Sequence, residues 1–500
     1  MPRAHRTRSA AARRPARRQA QWTPVGTSEQ HGQRVVVIGG GPGGYEAALV
    51  ARRLGADVTV VERQGLGGAA VLTDVVPSKT LIATAEWMTL ADTAPELGIR
   101  DASSPAGASA AMRHTIDLAA VNMRVRALAA AQSADIRTRL DREGVRLVAG
   151  TGRLEGASRV RVDAGAGGTD EVLDADVVLV ATGATPRVLP EAVPDGERIL
   201  TWTELYDLTA LPEHLVVVGS GVTGAEFAGA YTALGADVTL VSSRDRVLPG
   251  EDADAAQLLE DVFKARGMNV LSQSRAAGAR RVGDGVEVAL ADGRVVEGSH
   301  VLFAVGSIPT TAGLGLEEAG VRLRPSGHIE VDKVSRTNVR GVYAAGDVTG
   351  VLPLASVAAT QGRTAMSHAL GDAVAPLSLR GVSANIFTAP EIATVGFSEA
   401  RLVEQGVTYR TSMLPLARNP RAKMQGIREG FVKLFAHAGS GTVLGAVLVG
   451  PRASELIFPL TIAVAQRLTV DQLASVPTVY PSLSGTIGEV ARMLHVAPED

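Results

Sequence analysis

The amino-acid sequence predicts an α/β protein in which two parallel sheets are built on the same local pattern. Short apolar runs at 35–38 and 215–218 each lead into a cluster of glycines and then into an alanine-rich helical stretch. Continuous apolar strands that alternate with helices are typical of parallel sheets covered on both faces. The 500 residues exceed what one hydrophobic core supports. We therefore expect several domains, two of them related by an internal repeat.

The composition excludes several classes of function. Fifty Lys and Arg residues against 52 Asp and Glu give a net charge of −2, which lacks the positive surplus of nucleic-acid-binding proteins. The absence of cysteine rules out disulfides, thiolate nucleophiles and cysteine-ligated metal sites. The histidines are scattered without ligand spacing, so we predict no metal site. No apolar run approaches the roughly 20 residues of a transmembrane helix, and we expect a cytoplasmic protein.

The first segment, residues 1–33, differs from the rest of the chain. Seven arginines precede its first acidic residue, Glu29, and no apolar periodicity is present. Such a leader could be a transit peptide or a basic arm for nucleic acid. We favour a disordered tail or an overextended start of the reading frame, because the segment contains no pattern that predicts a packed element.

Both helices and strands are predicted after the first repeat. Apolar residues at three- and four-residue spacing predict a long helix over 117–144. Short strands with glycine-rich turns fill 145–180, and the last of them is fully apolar. The sequence pattern changes in the final segment, which predicts hairpin-like strands around 392–396 and 431–449 followed by helices.

The first glycine cluster has the spacing of a dinucleotide-binding turn. Gly39, Gly41 and Gly44 form the pattern G-x-G-x-x-G between a strand and a helix. One glycine makes the turn, one lets a pyrophosphate approach the helix N-terminus, and one lets helix and strand pack closely. Glu62, at the end of the next strand, can accept hydrogen bonds from an adenosine ribose.

The second cluster repeats this pattern with one difference. Gly219, Gly221 and Gly224 again separate a strand from a helix, but the next strand ends in hydroxyl and guanidinium groups, among them Ser242 and Arg244. A ribose 2′-phosphate repels a carboxylate and binds such groups, so this site should accept NADPH at least as well as NADH. The alternative is that these are solvated loop residues. Two dinucleotide sites in one chain imply hydride transfer from a nicotinamide to a flavin.

With these motifs placed, residues 34–490 resemble the flavoprotein disulfide reductase family, and lipoamide dehydrogenase in particular. Residues 181–183 resemble the end of its first FAD segment, residues 337–347 its second FAD motif, and residues 387–396 the start of its dimerisation domain. The resemblance implies a homodimer that binds FAD and NAD(P)H. It also implies these domains: FAD-binding 34–184, NAD(P)-binding 185–306, a further FAD-binding or central segment 307–378, and dimerisation 379–500.

Two departures from the family matter for the chemistry. Residues 67–79 keep the frame of its redox loop, but Ala70 and Val75 stand where the resemblance places the two cysteines. Near the C-terminus, Tyr480 and Gly485 replace a His–Glu pair. Dithiol exchange needs a thiolate, so disulfide reduction by the usual route is unavailable.

Two residues that the family keeps beside its flavin are retained here. Lys79 and Glu226 match an ion pair on the nicotinamide side of the ring, where a lysine can stabilise charge on reduced flavin. The alternative is a lysine in solvent and an ordinary helix-face carboxylate. Together with the motifs above, the expected cofactor-binding residues are Gly39, Gly41, Gly44, Glu62, Lys79, Thr182, Gly183, Gly219, Gly221, Gly224, Glu226, Ser242, Arg244, Gly306 and Asp347.

The frame and the C-terminal sequence are most similar to the family members that lack the cysteines and act as actinobacterial NAD(P)H quinone reductases. This resemblance implies hydride transfer from NAD(P)H to FAD, then two-electron reduction of a quinone, with Lys79, Glu226 and Tyr480 as the catalytic residues. Tyr480 would donate a hydrogen bond to a quinone oxygen, or would only fill space. The alternatives are a non-catalytic flavin-binding paralogue, a soluble transhydrogenase and an NAD(P)H oxidase.

Overall fold

A computed structural model describes residues 32–99, 115–165 and 168–495. Most of the predicted arginine-rich tail, residues 1–31, lies outside the described residues. The strands are β1 (Arg34–Ile38), β2 (Asp57–Glu62), β3 (Arg146–Ala149), β4 (Thr151–Leu154), β5 (Arg159–Asp163), β6 (Glu171–Asp174), β7 (Val177–Val180), β8 (Ala184–Pro186), β9 (Ile199–Leu200), β10 (His214–Val218), β11 (Asp237–Val241), β12 (Asn269–Leu271), β13 (Ala276–Val282), β14 (Gly285–Leu290), β15 (Val295–Gly298), β16 (His300–Phe303), β17 (Ser307–Pro309), β18 (Val342–Ala344), β19 (Ser383–Ile386), β20 (Glu391–Gly396), β21 (Tyr409–Pro415), β22 (Phe431–His437) and β23 (Val443–Gly450).

The α-helices follow the same numbering. They are α1 (Pro42–Arg53), α2 (Gly68–Leu72), α3 (Val75–Thr93), α4 (Leu118–Arg142), α5 (Val222–Leu234), α6 (Ala253–Ala265), α7 (Ala355–Ala369), α8 (Glu399–Glu404), α9 (Pro420–Met424), α10 (Ala453–Leu456), α11 (Phe458–Ala465), α12 (Val470–Ser475) and α13 (Gly485–Met493). Among the described residues, no helix is long and apolar enough to cross a membrane.

The first parallel sheet has the strand order β18-β7-β1-β2-β3. Its central strand β1 pairs with β2 and β7, and Val36 lies opposite Thr59 on one side and Val178 on the other. Every residue of β7 is buried, as expected for a strand covered on both faces. β18 comes from much later in the chain and pairs with β7, so residues near 345 return to this sheet.

The second parallel sheet has the order β12-β11-β10-β16-β9 and repeats the first one. Here Val216 of β10 lies between Thr239 and Val301. Three-stranded antiparallel sheets accompany both repeats, β4-β5-β6 in the first and β13-β14-β15 in the second. β8 and β17 pair with each other, antiparallel, between the two repeats. The predicted internal repeat is therefore present in the fold.

The C-terminal part is a five-stranded antiparallel sheet with the order β19-β20-β23-β22-β21. β22 and β23 are almost entirely buried, and apolar residues of α11 and α13 pack against them. The predicted α/β fold, with two Rossmann-like units and an α+β C-terminal part, is confirmed. The long helix predicted over 117–144 forms as α4. The predicted domain boundaries stay predictions.

Candidate functional site

The first glycine turn has a shape that only glycine can adopt at two of its positions. Gly39 has a φ of +105°, and a Cβ atom there would lie 2.3 Å from the carbonyl oxygen of Ala181. A Cβ at Gly44 would lie 1.9 Å from the carbonyl oxygen of Gly39. A Cβ at Gly41, in contrast, would meet no protein atom within 4 Å. The open side of Gly41 is the side from which a ligand can approach the backbone.

This turn ends at the free N-terminus of α1. Gly41 is the N-cap residue, and no side chain accepts a hydrogen bond from the first turn of the helix. The adjacent carboxylate of Glu62 accepts hydrogen bonds from the backbone N–H groups of Gly40 at 2.6 Å and Gln64 at 2.7 Å. Oε1 also accepts from the backbone N–H of Gly65 at 3.3 Å, so Glu62 is held in place, and Oε2, which accepts only from Gly40, keeps a second lone pair for a ribose hydroxyl.

The second glycine turn reproduces the first. Gly219 has a φ of +114°, and its Cβ would lie 2.3 Å from the carbonyl oxygen of Ala304. A Cβ at Gly224 would lie 1.8 Å from the carbonyl oxygen of Gly219, whereas one at Gly221 would meet no protein atom within 4 Å. Gly221 is the N-cap of α5 and again lacks a capping side chain. Both turns therefore present free N–H groups and a helix dipole to an anion.

The structure gives Ser242 and Arg244 different surroundings. Ser242 is fully buried, and its hydroxyl contacts the Ser220 hydroxyl at 2.7 Å and accepts from the backbone N–H of Arg244 at 3.1 Å. Ser242 therefore stabilises the conformation of this loop through hydrogen bonds within the protein. The side chain of Arg244 is exposed, and that of Arg246 is half-buried. Of the two residues named for this loop from the sequence, Arg244 is the one that faces solvent.

The remaining expected cofactor residues lie at the ends of the first sheet and of β16. Thr182 donates a hydrogen bond to the carbonyl oxygen of Thr310 at 2.7 Å, and Gly183 follows with a φ of +68°. Gly306, which follows β16, has a φ of +92°. Burial raises the pKa of Asp347, and its carboxylate has no hydrogen bond within the described residues. An unpartnered carboxylate at this position suits a hydroxyl-bearing ligand.

The structure brings Lys79 and Glu226 together. Lys79, on α3, donates from Nζ to Oε2 of Glu226 at 2.8 Å, and Glu226, on α5, is 3% exposed. The other carboxylate oxygen accepts from the backbone N–H of Phe387 at 2.8 Å, and Lys79 Nζ lies 5.1 Å from the centre of the Phe387 ring. Three distant parts of the chain therefore hold one ion pair, in which Glu226 is buried and the Lys79 side chain is 26% exposed.

A cavity adjoins this ion pair. Its volume is about 480 Å³, the size of a small-ligand site. Burial, and then the charge of Glu391, raise the pKa of Glu86 in its wall. The lining residues are Lys79, Ile82, Ala83, Glu86, Phe387, Glu391, Arg452, Ser454 and Glu455.

The loop that carries the two substituted cysteine positions lies directly before α3. Ala70 is part of the short helix α2, and Val75 is the first residue of α3. Asp74 lies between them and was not among the residues predicted from the sequence to be functional. Burial raises the pKa of its carboxyl to about 6.

Tyr480 is not brought to the ion pair within one chain. Its side chain is 81% exposed, and it makes no hydrogen bond to the described residues. Gly485, which replaces the acidic member of the family's His–Glu pair, begins α13. Within the described residues, no group of His, Asp and Glu side chains could hold a metal ion.

The sequence matches the models of a known protein family over most of its length. The sequence model described as pyridine nucleotide-disulphide oxidoreductase matches residues 33–362, and the model of that family's dimerisation domain matches residues 382–491. The chain belongs to the pyridine nucleotide-disulphide oxidoreductase family. Membership implies the use of a flavin and NAD(P)H, and the two glycine turns, Glu62 and the unpartnered Asp347 fit such ligands.

Several relatives in this family are similar over nearly their full length. A Mycobacterium tuberculosis protein named NAD(P)H dehydrogenase (quinone) is 54% identical over 469 residues, covering 92% of this chain and 94% of that protein. Dihydrolipoyl dehydrogenase of Zymomonas mobilis is 34% identical over 460 residues, covering 91% and 96%.

Solved structures show the same likeness. The crystal structure of LpdA from Mycobacterium tuberculosis superimposes with a TM-score of 0.87 at 53% identity, covering 93% of this chain and 100% of that one. The Escherichia coli flavoprotein disulfide reductase RclA shares the fold, with a TM-score of 0.81 at 23% identity, covering 92% and 100%.

Proposed function

We propose that this protein is an FAD-dependent NAD(P)H:quinone oxidoreductase. The observation that carries the proposal is the partly buried Lys79–Glu226 pair, with Nζ and Oε2 2.8 Å apart, in a chain that has no cysteine. The ion pair that the family keeps on the nicotinamide side of its flavin is present, while the thiols that would reduce a disulfide are absent. The 54% identical relative named NAD(P)H dehydrogenase (quinone) supports a quinone as the acceptor.

The two glycine turns bind different nucleotides in this proposal. The Gly39–Gly44 turn with Glu62 and Asp347 holds FAD, and the Gly219–Gly224 turn holds the pyrophosphate of NAD(P)H. FAD supplies the two-electron chemistry between the nicotinamide and the acceptor. Lys79 places a positive charge where negative charge develops, and Glu226 fixes the direction of the Lys79 side chain. Ala70 and Val75 leave an apolar surface for a planar quinone.

The proposed enzyme is a homodimer that forms through the C-terminal part of the chain. The family's dimerisation domain matches residues 382–491, and this part of the chain exposes large apolar side chains, among them Phe458, Val479 and Tyr480. A homodimer would cover them, as obligate interfaces do. Tyr480 would then reach the partner's acceptor site and donate a hydrogen bond to a quinone oxygen. The cytoplasmic location stays a prediction.

Steady-state turnover of the FAD-loaded protein tests the proposed acceptor. We expect rapid oxidation of NADPH by menadione in anaerobic buffer and none by lipoamide. Turnover that needs oxygen, or that proceeds only with an oxidised nicotinamide analogue, would identify an oxidase or a transhydrogenase instead.

Arg244 offers a test of the nucleotide preference. Arg244→Ala should raise the KM for NADPH by about 10- to 100-fold and leave the KM for NADH unchanged, because one charge-assisted hydrogen bond to a 2′-phosphate contributes about 1.5–3 kcal/mol. Arg153→Ala, at another exposed arginine that forms no ion pair with the described residues, is the matched control. Equal effects of Arg244→Ala on both nucleotides would contradict the assignment.

A further inference from the structure

The loop between β11 and α6, residues 242–252, carries Arg244 and is held by contacts along its length. The hydroxyl of Ser242 accepts a hydrogen bond from the backbone N–H of Arg244 at 3.1 Å. The carbonyl oxygen of Arg244 accepts from the backbone N–H of Gln273 at 2.7 Å. Both backbone polar groups of Arg244 are therefore bonded within the protein, while its side chain is exposed. The backbone that carries this guanidinium is fixed independently of any ligand.

Two residues of this region have backbone conformations that are uncommon outside glycine. Leu248, in the loop, and Gln273, which bonds to it, both have a φ of +51°. The backbone N–H of Leu248 donates to the carbonyl oxygen of Ser220, inside the second glycine turn, at 2.8 Å. Such conformations persist where several contacts enforce them, and they concentrate at functional sites. The loop and the glycine turn are therefore held together as one unit.

Glu260 of α6 supplies the contact next to Leu248. Its Oε2 accepts a hydrogen bond from the backbone N–H of Val247 at 3.0 Å, and its Oε1 accepts from Nζ of Lys264 at 2.6 Å. Glu260 is 6% exposed, whereas the side chain of Lys264 is 52% exposed. A buried carboxylate is costly unless its oxygens are bonded. One oxygen of this carboxylate is committed to the backbone of the loop that carries Arg244.

We propose that Glu260 is a positioning residue for NADPH, an inference that rests on the proposed function. Glu260 holds the loop in the conformation in which Arg244 meets the 2′-phosphate, and it acts through Arg244 rather than by contact with the nucleotide. A loop that is already ordered loses less conformational entropy when it binds a ligand, so the affinity is higher. NADH has no 2′-phosphate and gains little from the position of Arg244. The effect of Glu260 should therefore be selective for NADPH.

Calorimetric titration of the FAD-loaded protein tests this role without turnover. The two probes are adenosine 2′,5′-bisphosphate, which carries the 2′-phosphate, and ADP, which lacks it. Glu260→Met removes the acceptor for Val247 and should weaken binding of the bisphosphate about tenfold, while binding of ADP changes less than about twofold. Glu260→Gln keeps an acceptor oxygen and should restore most of the affinity. Lys264→Met removes only the ion pair, so this matched control should behave as wild type.

Flavin reduction provides a second readout. In Glu260→Met, the NADPH concentration for half-maximal bleaching should rise about tenfold, while the limiting rate and the FAD content stay at the wild-type level. Ser242→Ala acts on the loop from its other end and should show the same selectivity, which keeps the test decisive if Glu260→Met folds poorly. Because Glu260 acts through Arg244, Glu260→Met should add little to the effect of Arg244→Ala in the double variant.

The outcomes separate the two proposals. Bisphosphate binding that is unchanged in both Glu260→Met and Ser242→Ala would overturn the positioning role and leave the NADPH site at Arg244 standing. Equal losses of affinity for the bisphosphate and for ADP would also overturn it, since they would indicate general damage to the nucleotide-binding part. A wild type that binds the bisphosphate no more tightly than ADP would overturn the proposed NADPH site, and the role of Glu260 with it.

Discussion

Gly41→Ala is expected to give a folded protein that has lost most of its flavin. A Cβ at this position meets no protein atom within 4 Å, and its φ of −70° is open to alanine, so folding should not suffer. The methyl group would occupy the space through which a pyrophosphate approaches α1. We expect the dissociation constant for FAD to rise at least about tenfold, measured by fluorescence titration of the deflavinated protein.

Gly221→Ala is the matched change in the second turn and should have the opposite selectivity. FAD content should remain at the wild-type level, while the KM for NADPH rises by a similar factor. Gly250→Ala, where a Cβ also meets no protein atom within 4 Å, is the neutral control. If Gly41→Ala binds FAD as tightly as wild type, the first turn is not the pyrophosphate site.

Lys433→Met is expected to destabilise the fold by about 3–5 kcal/mol. Nζ of Lys433 lies 3.0 Å from a carboxylate oxygen of Asp252 and 2.8 Å from those of Asp254 and Glu399. Burial acts to lower the pKa of Lys433, but the three carboxylate hydrogen bonds outweigh it and raise that pKa above its ordinary value. Without the lysine, three carboxylates face one another with no cation between them.

The midpoint of denaturant unfolding measures this loss. Lys423→Met, which removes an exposed lysine of α9, should shift the midpoint little, because exposed charges contribute about 0–1 kcal/mol. Since Asp252 and Asp254 belong to the start of α6, and Lys433 and Glu399 to the C-terminal part, the contact joins the two regions. Equal stability of the two variants would mean that this cluster contributes nothing.

Local patterns explain why much of the fold could be predicted. The glycines at 39, 44, 219 and 224 are dictated by backbone contacts of 2.3 Å or less that a Cβ would make, and such constraints leave a fixed spacing in the sequence. The apolar strands and the long helix α4 are also local patterns. Lys79 and Glu226, far apart in sequence, could be paired only through the resemblance to a known family.

Features that depend on packing between distant parts of the chain could not be predicted from the sequence. The three carboxylates around Lys433 come from two separate elements, and no periodic signal connects them to β22. Burial of Ser242 inside its own loop, and the raised pKa of Asp74, both result from neighbours distant in sequence.

Anaerobic rapid mixing of the FAD-loaded protein tests the central claim most directly. NADPH should bleach the flavin absorbance within the time of one turnover, and subsequent mixing with menadione should restore it completely. A flavin that is bleached but not reoxidised by menadione would contradict the claim that a quinone is the acceptor. A flavin that NADPH does not bleach would contradict the catalytic account as a whole and leave a protein that binds flavin without using it.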